Sequence, residues 1–320
     1  MYYIGIDTSC YTTSVSAVDM NCGIVYDGRI VLKVMEGSRG LRQSDAVFQH
    51  NANLAKLIEQ LFEIISGKDI IGIAVSTKPR NIEGSYMPVF TAGHYAARIL
   101  SSSLKIPLKE TTHQQGHIAA GQWSSNTYFT DKYLVYHISG GTTELLLVED
   151  DNMECISIVG GSRDLNAGQF IDRVGVSMGI SFPCGQHMDN LCKKQTASAM
   201  EFPISVDGCF LSFSGPESHV QRILKNKACV DAELSASISA GVFQCIGRSL
   251  EKTMISAANS YGVKNVMIVG GVAANSIIRE ILYKGSSKKE DINIIFSDPV
   301  YSSDNAVGTA VIGMRSRRSK

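Results

Sequence analysis

Two stretches decide the architecture: KYLVYHISGGTTELLLVED at residues 132–150 and YYIGIDTSCYTTSVSAVD at residues 2–19. Each reads as an apolar strand that enters a small polar turn and returns as a second apolar strand. Laid over one another, they put Ser9 on Ser139 and Thr12-Thr13 on Thr142-Thr143. After the first, residues 22–36 predict a strand and 46–66 a helix with Leu54, Ile58, Leu61 and Ile65 on one stripe. Residues 70–77 then predict a buried parallel strand and 89–103 a second helix. After the second, residues 155–161 predict a strand, 165–179 a helix and 234–260 a long helix. Strands are predicted at 265–271 and 293–298, and helices starting near Ala274 and Ser303. Two hairpin starts, each followed by βαβ material, point to a duplicated α/β fold with a cleft between the halves. Two ordinary hairpins in a plain α/β protein are the alternative.

Composition bounds the rest. At roughly 150 residues per domain, 320 residues make two domains. Thirty basic against thirty acidic residues leave no net charge. That disfavours an extended nucleic-acid-binding surface while leaving room for a local basic patch. A 44% hydrophobic and 19% charged chain has the makings of a core. No apolar window is long enough for a membrane span, and MYYIGIDTS has neither a basic nor an apolar leader segment, so no signal peptide is expected. The eight cysteines (Cys10, Cys22, Cys155, Cys184, Cys192, Cys209, Cys229 and Cys245) form no CxxC pair and read as reduced thiols of a cytoplasmic protein.

Four motifs carry chemistry. In His113-Gln114-Gln115-Gly116-His117 the imidazoles stand four residues apart, on one helix face, where they can share a divalent metal. No glutamate follows His113, which argues against a zincin protease. Two histidines on a solvated face are the alternative. A metal would need a third ligand, and Asp304 is the candidate. Ser139-Gly140-Gly141-Thr142-Thr143-Glu144 offers backbone amides and hydroxyls to phosphate oxygens, or is a plain hairpin turn. Val269-Gly270-Gly271-Val272-Ala273-Ala274-Asn275 ends a buried strand in two glycines before a helix. A sugar or flat ring could lie there, with Asn275 on a base or ribose, or the pair is simply loop glycine. It is not GxGxxG, so a nicotinamide cofactor is not expected. In Ser302-Ser303-Asp304-Asn305-Ala306, Ser303 or Asp304 could equally cap the final helix.

Taken together, these motifs resemble the ATP-binding superfamily of actin, sugar kinases and the heat-shock chaperone ATPase. More closely, they resemble the TsaD family, the tRNA threonylcarbamoyladenosine synthase subunit once described as an O-sialoglycoprotein endopeptidase. The resemblance runs in order through IGIDTSCYTTSVSAV, HQQGHIAAG, HISGGTTELLLVE, AGQFIDRVGVSMGISFPCG, LSFSG, VGGVAANSIIR and SDNAVGTA. It implies an actin-like ATPase (ASKHA) α/β fold of two duplicated ribonuclease-H-like lobes with a nucleotide cleft between them. The lobes would be residues 1–105 plus 303–320, and 106–302. It implies transfer of a threonylcarbamoyl group from threonylcarbamoyl-adenylate to N6 of the adenosine beside the anticodon in tRNAs reading ANN codons. His113, His117 and Asp304 would hold one divalent metal, iron or zinc foremost, with magnesium or manganese as alternatives. His137, Ile138, Ser139, Gly140 and Gly141 would line the phosphate region. Asp172, Gly185, Gly270, Gly271 and Asn275 would contact ATP, AMP or the adenylate. Partners implied are tRNA and TsaB-like and TsaE-like subunits, with no membrane; the face of helix 46–66 is the candidate for a subunit, though a core stripe explains it equally.

The chain departs from the family pattern in places. Tyr11-Thr12 stands for an acidic pair, Thr142 for a histidine and Glu144 for a glutamine. Residues 77–86 replace a short glycine-rich loop, and Pro216-Glu217-Ser218 replaces a Leu-Lys-Thr stretch. These changes keep open a divergent paralogue that binds nucleotide and metal but serves another acceptor or acts as a non-catalytic partner. A sugar or acetate-type kinase ranks third, because the HxxxH pair has no role in it. Arg315, Arg317, Arg318 and Lys320 read as a basic C-terminal arm or a frayed, solvated end.

Overall fold

The computed structural model describes residues 1–9, 11–34, 41–194, 198–226, 230–289 and 292–318. The chain divides into two compact units, Met1–Tyr128 with Ser303–Lys320, and Phe129–Ser302. The first is therefore larger than the 1–105 plus 303–320 expected. Residues 106–128 belong to it because the strand Leu108–Thr112 joins its sheet and the helix His113–Ser124 packs within it.

The first unit holds β1 (Tyr2–Thr8), β2 (Thr12–Asp19), β3 (Ile24–Val31), β4 (Ile70–Lys78) and β5 (Leu108–Thr112) in the order β3-β2-β1-β4-β5. The three-strand antiparallel meander β1–β3 is extended by β4 and β5, both parallel to β1. Its helices are α1 (Gln43–Ile64), α2 (Phe90–Leu104), α3 (His113–Ser124) and, from the chain's end, α10 (Val307–Arg318). Leu54, Leu57, Leu61 and Ile65 pack with Ile4, Ile6, Val15 and Ile73. A fully buried Leu or Ile contributes about 1.5–3 kcal/mol, so the predicted stripe of α1 is accounted for by its own core.

The second unit holds β6 (Tyr133–Ile138), β7 (Thr143–Val148), β8 (Ile156–Ser162), β9 (Ser205–Asp207), β10 (Phe210–Ser212), β11 (Asn265–Val269) and β12 (Asn293–Phe296). Its sheet order is β12-β11-β6-β7-β8-β10-β9. Read from β8 to β12, this repeats the first sheet: antiparallel β8-β7-β6, then β11 and β12 parallel to β6. The duplication inferred from two hairpins is thus a duplication of topology, with a β9–β10 ribbon added at one edge. The helices are α4 (Ala167–Ser177), α5 (Gly185–Lys194), α6 (Ser214–Lys225), α7 (Ala232–Tyr261), α8 (Ser276–Lys289) and the short α9 (Pro299–Ser302). Leu134, Tyr136 and Ile138 pack with Phe170, Phe243, Ile246 and Ile268 in its core.

Several boundaries differ from the sequence reading. The third strand stops at Val31, and residues 35 and 36 of its predicted span lie outside the described residues. The helix expected near Ala274 begins at Ser276, after a 3-10 turn over Gly271–Ala274. The last helix begins at Val307 rather than Ser303, because Asn305 Oδ1 accepts from Val307 N–H at 3.0 Å. Among the described residues, Cys22, Cys155, Cys184, Cys192, Cys209 and Cys245 are free thiols; Cys10 and Cys229 lie outside them. The basic arm is not loose up to Arg317. Arg315 Nη1 donates to Gln122 Oε1 at 3.2 Å and its guanidinium covers the Tyr128 ring at 4.1 Å, while Arg317 donates to the Ile71 carbonyl. Lys320 lies outside the described residues. Among the described residues no helix is long and apolar enough to cross a membrane.

Candidate metal centre and nucleotide site

The carboxyl ends of three neighbouring strands build the first site. Asp7 is the penultimate residue of β1, Ser76 lies on β4, and His113 follows directly on β5 as the first residue of α3. A capping box holds the helix start in place. Thr112 Oγ1 accepts from Gln115 N–H at 3.2 Å, and Gln115 Oε1 accepts from Thr112 N–H at 2.9 Å. Such a cap contributes about 1 kcal/mol. The Pro79 carbonyl, in the loop that departs from the family pattern, accepts from Gln114 N–H at 3.0 Å and so takes up another orphan donor of the first turn.

Helix α3 is not a solvated helix. Residues 114 to 122 are all buried, and His117 keeps 5% of its surface. The close approach that buries it depends on glycine. A Cβ on Gly308 of α10 would lie 1.9 Å from the Gly116 carbonyl oxygen and 2.7 Å from Ala120 N. Only backbone meets backbone here, and that contact carries the segment before α10, with Asp304, up to the two histidines.

The predicted triad is assembled. His113 Nε2 and His117 Nε2 are 3.1 Å apart. Asp304 Oδ1 lies 3.3 Å from His117 Nε2 and 3.6 Å from His113 Nε2. A tetrahedral ion with bonds of about 2.0–2.2 Å separates its ligands by about 3.3–3.6 Å; the two distances to Asp304 lie in that range and the imidazole pair, at 3.1 Å, falls just below it. Two nitrogens and one carboxylate oxygen suit zinc, iron or manganese alike. Asp304 does not cap a helix. Its Oδ2 accepts from Ser9 Oγ at 2.8 Å, which leaves Oδ1 toward the imidazoles.

Charge explains how the cluster is held. Burial lowers the His113 pKa, but the charge and hydrogen bond of Asp7, with Asp304 behind them, outweigh it and raise it from 6.5 to about 9. Burial raises the carboxyls of Asp7 and Asp304. For Asp7, His113 and the Ser76 hydroxyl hold the net value below the usual range; for Asp304, the hydrogen bond of His117, the two imidazoles and Ser9 do so. A raised imidazole pKa contributes stability that is complete below the unfolded value near 6.5 and is lost as pH rises through about 9. Chelator-treated protein should therefore lose on the order of 3 kcal/mol between pH 6.5 and 9.5 that a His113→Asn variant does not lose. Equal slopes of melting temperature against pH for the two would refute the ion pair.

Two buried groups near this site carried no sequence signal. Asp7 is 1% exposed, and its partners lie 69 and 106 residues away. His50 on α1 is fully buried, with Nδ1 2.8 Å from Thr13 Oγ1. Burial lowers its pKa.

In the second unit, the two glycine turns sit at the carboxyl ends of adjacent parallel strands, β6 and β11, where Val269 registers with His137. Open α/β sheets bind ligands at such ends. Gly140-Gly141 form a two-residue turn closed by Ser139 N–H to the Thr142 carbonyl at 2.7 Å, and nothing lies within 4 Å of a Cβ on either glycine. Gly270 has φ +98°, and its Cβ would meet the Ile138 carbonyl at 2.3 Å, so only glycine lets the second turn lie against the first. His137 is buried. Three expected ligand groups are already engaged. Asn275 Oδ1 caps α8 by accepting from Ile278 N–H at 3.0 Å, and its Nδ2 donates to the buried Asp189 at 3.1 Å. Thr143 Oγ1 accepts from Ala167 N–H at 2.8 Å. Asp172 Oδ1 accepts from Cys184 N–H at 2.8 Å, which draws the start of α5 and Gly185 toward α4. Asp189, which also takes Ser276 Oγ at 2.8 Å and Lys193 Nζ at 2.6 Å, was not anticipated.

Comparison with known proteins agrees on one family. The family model described as TsaD, tRNA N6-adenosine threonylcarbamoyltransferase, matches residues 33–311. The protein of that name from Bacillus licheniformis is 30% identical over 98% of this chain and 91% of its own length. That from Listeria innocua is 31% identical over 97% and 90%. Component A of the (R)-2-hydroxyglutaryl-CoA dehydratase of Acidaminococcus fermentans superposes with a TM-score of 0.57 at 16% identity, covering all of both chains. At that identity it speaks for the fold alone, the actin-like ATPase fold.

Proposed function

The chain belongs to the TsaD family of tRNA N6-adenosine threonylcarbamoyltransferases and is a transferase, and from that premise we propose the reaction in detail. The donor is threonylcarbamoyl-adenylate. The acceptor is N6 of the adenosine beside the anticodon in tRNAs that read ANN codons. The N6 lone pair attacks the carbamoyl carbonyl, the bond from that carbon to the phosphate oxygen breaks, AMP leaves, and the N6 proton passes to solvent. The observation that carries this reading is the convergence of His113 Nε2, His117 Nε2 and Asp304 Oδ1.

Those three residues would hold a divalent ion, iron or zinc foremost, which supplies Lewis acidity toward a carbonyl or phosphate oxygen. Ser9 would orient Asp304. The open turn His137–Gly141 would take phosphate oxygens on its amides, and Gly270-Gly271 would let the nucleoside lie against backbone. Asp172 and Gly185 would face the ribose. Asn275, whose side chain caps α8, would shape this wall rather than bond the base. TsaB-like and TsaE-like subunits are the partners this reading expects, and the cytoplasm its compartment.

The test supplies purified protein, threonylcarbamoyl-adenylate, an ANN-decoding tRNA and the partner subunits, and measures modified nucleoside by mass spectrometry. Threonylcarbamoyladenosine at a rate set by enzyme concentration is expected. A second reading rests on the acceptor-side changes. Tyr11 stands exposed where an acidic pair is usual, and Glu217, which accepts from Gln221 at 3.0 Å, occupies the first turn of α6 in place of a lysine. Protein that binds metal and an adenylate analogue but modifies no tRNA would favour a paralogue with another acceptor.

A further inference from the structure

We propose that Asp7 is the positioning residue of the metal ligand His113: by accepting the proton of Nδ1 it commits Nε2 to the ion. The inference rests on the metal reading above and concerns a side chain outside the ligand triad.

A neutral imidazole has one protonated nitrogen and one lone pair, and which is which depends on what the ring touches. Helix α3 places the His113 ring between two different neighbours. On one side Asp7 Oδ2 lies 2.9 Å from Nδ1. On the other, Nε2 faces His117 Nε2 at 3.1 Å and Asp304 Oδ1 at 3.6 Å. An ionised carboxylate can only accept, so the ring must present N–H to Asp7, and its lone pair is left on Nε2. The opposite tautomer would put a lone pair against a carboxylate and a proton into the ligand cluster.

Asp7 is built to be a fixed post. It keeps 1% of its surface, a costly position for a carboxylate without partners. Ser9 N–H donates to Oδ1 at 3.0 Å and Ser76 Oγ to Oδ2 at 2.5 Å, so both oxygens are held from β1 and β4. Among the described residues its ion-pair partner is His113. A carboxylate that served only to close the turn after β1 would need Ser9 alone. The second oxygen, the Ser76 hydroxyl and the imidazole form a line that runs from the sheet to the ligand. Carboxylate–histidine–metal lines of this kind set ring orientation and raise ligand basicity.

The test uses the full chain and metal alone. Long-range nitrogen–proton spectra of Zn²⁺-loaded wild type should show His113 protonated at Nδ1 and metal-bound at Nε2. Co²⁺ titration, followed by its visible bands, should show Asp7→Asn binding about 10–100-fold more weakly than wild type, because an amide can turn its NH₂ to Nδ1 and no longer selects the tautomer. Asp7→Glu, which restores an acceptor-only group, should recover part of that loss. A folded Asp7→Asn that binds Co²⁺ as wild type does, or a wild-type spectrum with zinc on Nδ1 of His113, overturns the proposal. The wild-type spectrum decides the matter even if the variants do not fold. Wild type that takes up no metal overturns both this inference and the metal reading, whereas an indifferent Asp7→Asn overturns this one alone.

Discussion

Replacing His113 and His117 together by alanine is expected to abolish stoichiometric metal binding and, with it, transfer. Two of the three converging ligands are removed, and a lone Asp304 carboxylate does not retain a transition-metal ion at micromolar concentration. If the ion contributes several kcal/mol to the transition state, the rate falls by about 10²–10³-fold or more. The fold should survive. Losing His113 frees Asp7 from its ion-pair partner and so costs stability, but the capping box at Thr112 and the packing of α3 do not involve the imidazoles. Elemental analysis and calorimetry against an adenylate analogue, on protein shown folded by its melting transition, make the measurement. Retained metal would place the ion elsewhere and dismiss the triad. Retained adenylate binding with lost metal and lost transfer is the expected pattern, because the proposed nucleotide residues belong to the other unit.

The second large effect comes from one methyl group. Gly308→Ala should destabilise the first unit by about 3 kcal/mol or more, at or above the upper end of the usual cost of overpacking. The new Cβ meets backbone, the Gly116 carbonyl at 1.9 Å and Ala120 N at 2.7 Å, and backbone cannot rotate aside as a side chain can. Helices α3 and α10 must separate. A shift of that cost lowers a melting temperature by about 6–12 °C for a unit of this size. It also draws Asp304 away from His113 and His117, so metal affinity should fall although no ligand has been changed. Gly215→Ala, where nothing lies within 4 Å of the added Cβ, is the matched control. Equal melting temperatures for the two variants would mean that the helices do not touch as described.

Much of the site was legible because its signals are local. The HxxxH spacing needs only a helix to bring two imidazoles to one face, and α3 is that helix. The glycine turns at 140–141 and 270–271 announce themselves by following apolar strands. Other features carried no such signal. LKETT at 108–112 has two charges in five residues and no alternating pattern, and it is a strand only because β4 offers it an edge. Its inclusion moved the boundary between the units from 105 to 128. Asn275 read as a ligand for a base because sequence displays a polar side chain without its neighbours. Asp189, on a different helix, had already engaged it.

The sequence by itself determined the repeated strand–turn–strand starts, the choice of His113, His117 and Asp304 as candidate ligands, and the family, since each depends on residue identity and spacing within a short window. Tertiary structure alone decided which polar groups meet. Asp304 could have capped the last helix, but it is Asn305 that accepts from the helix's first N–H, and Asp304 turns to Ser9 and the histidines. Asp7 could have been one more turn residue, but parallel pairing of β1, β4 and β5 sets it beside Ser76 and His113. The physical reason is range. Backbone propensity and periodicity act over a few residues, whereas a buried charge is stabilised by whichever donors the folded sheet brings within about 3 Å, from anywhere along the chain.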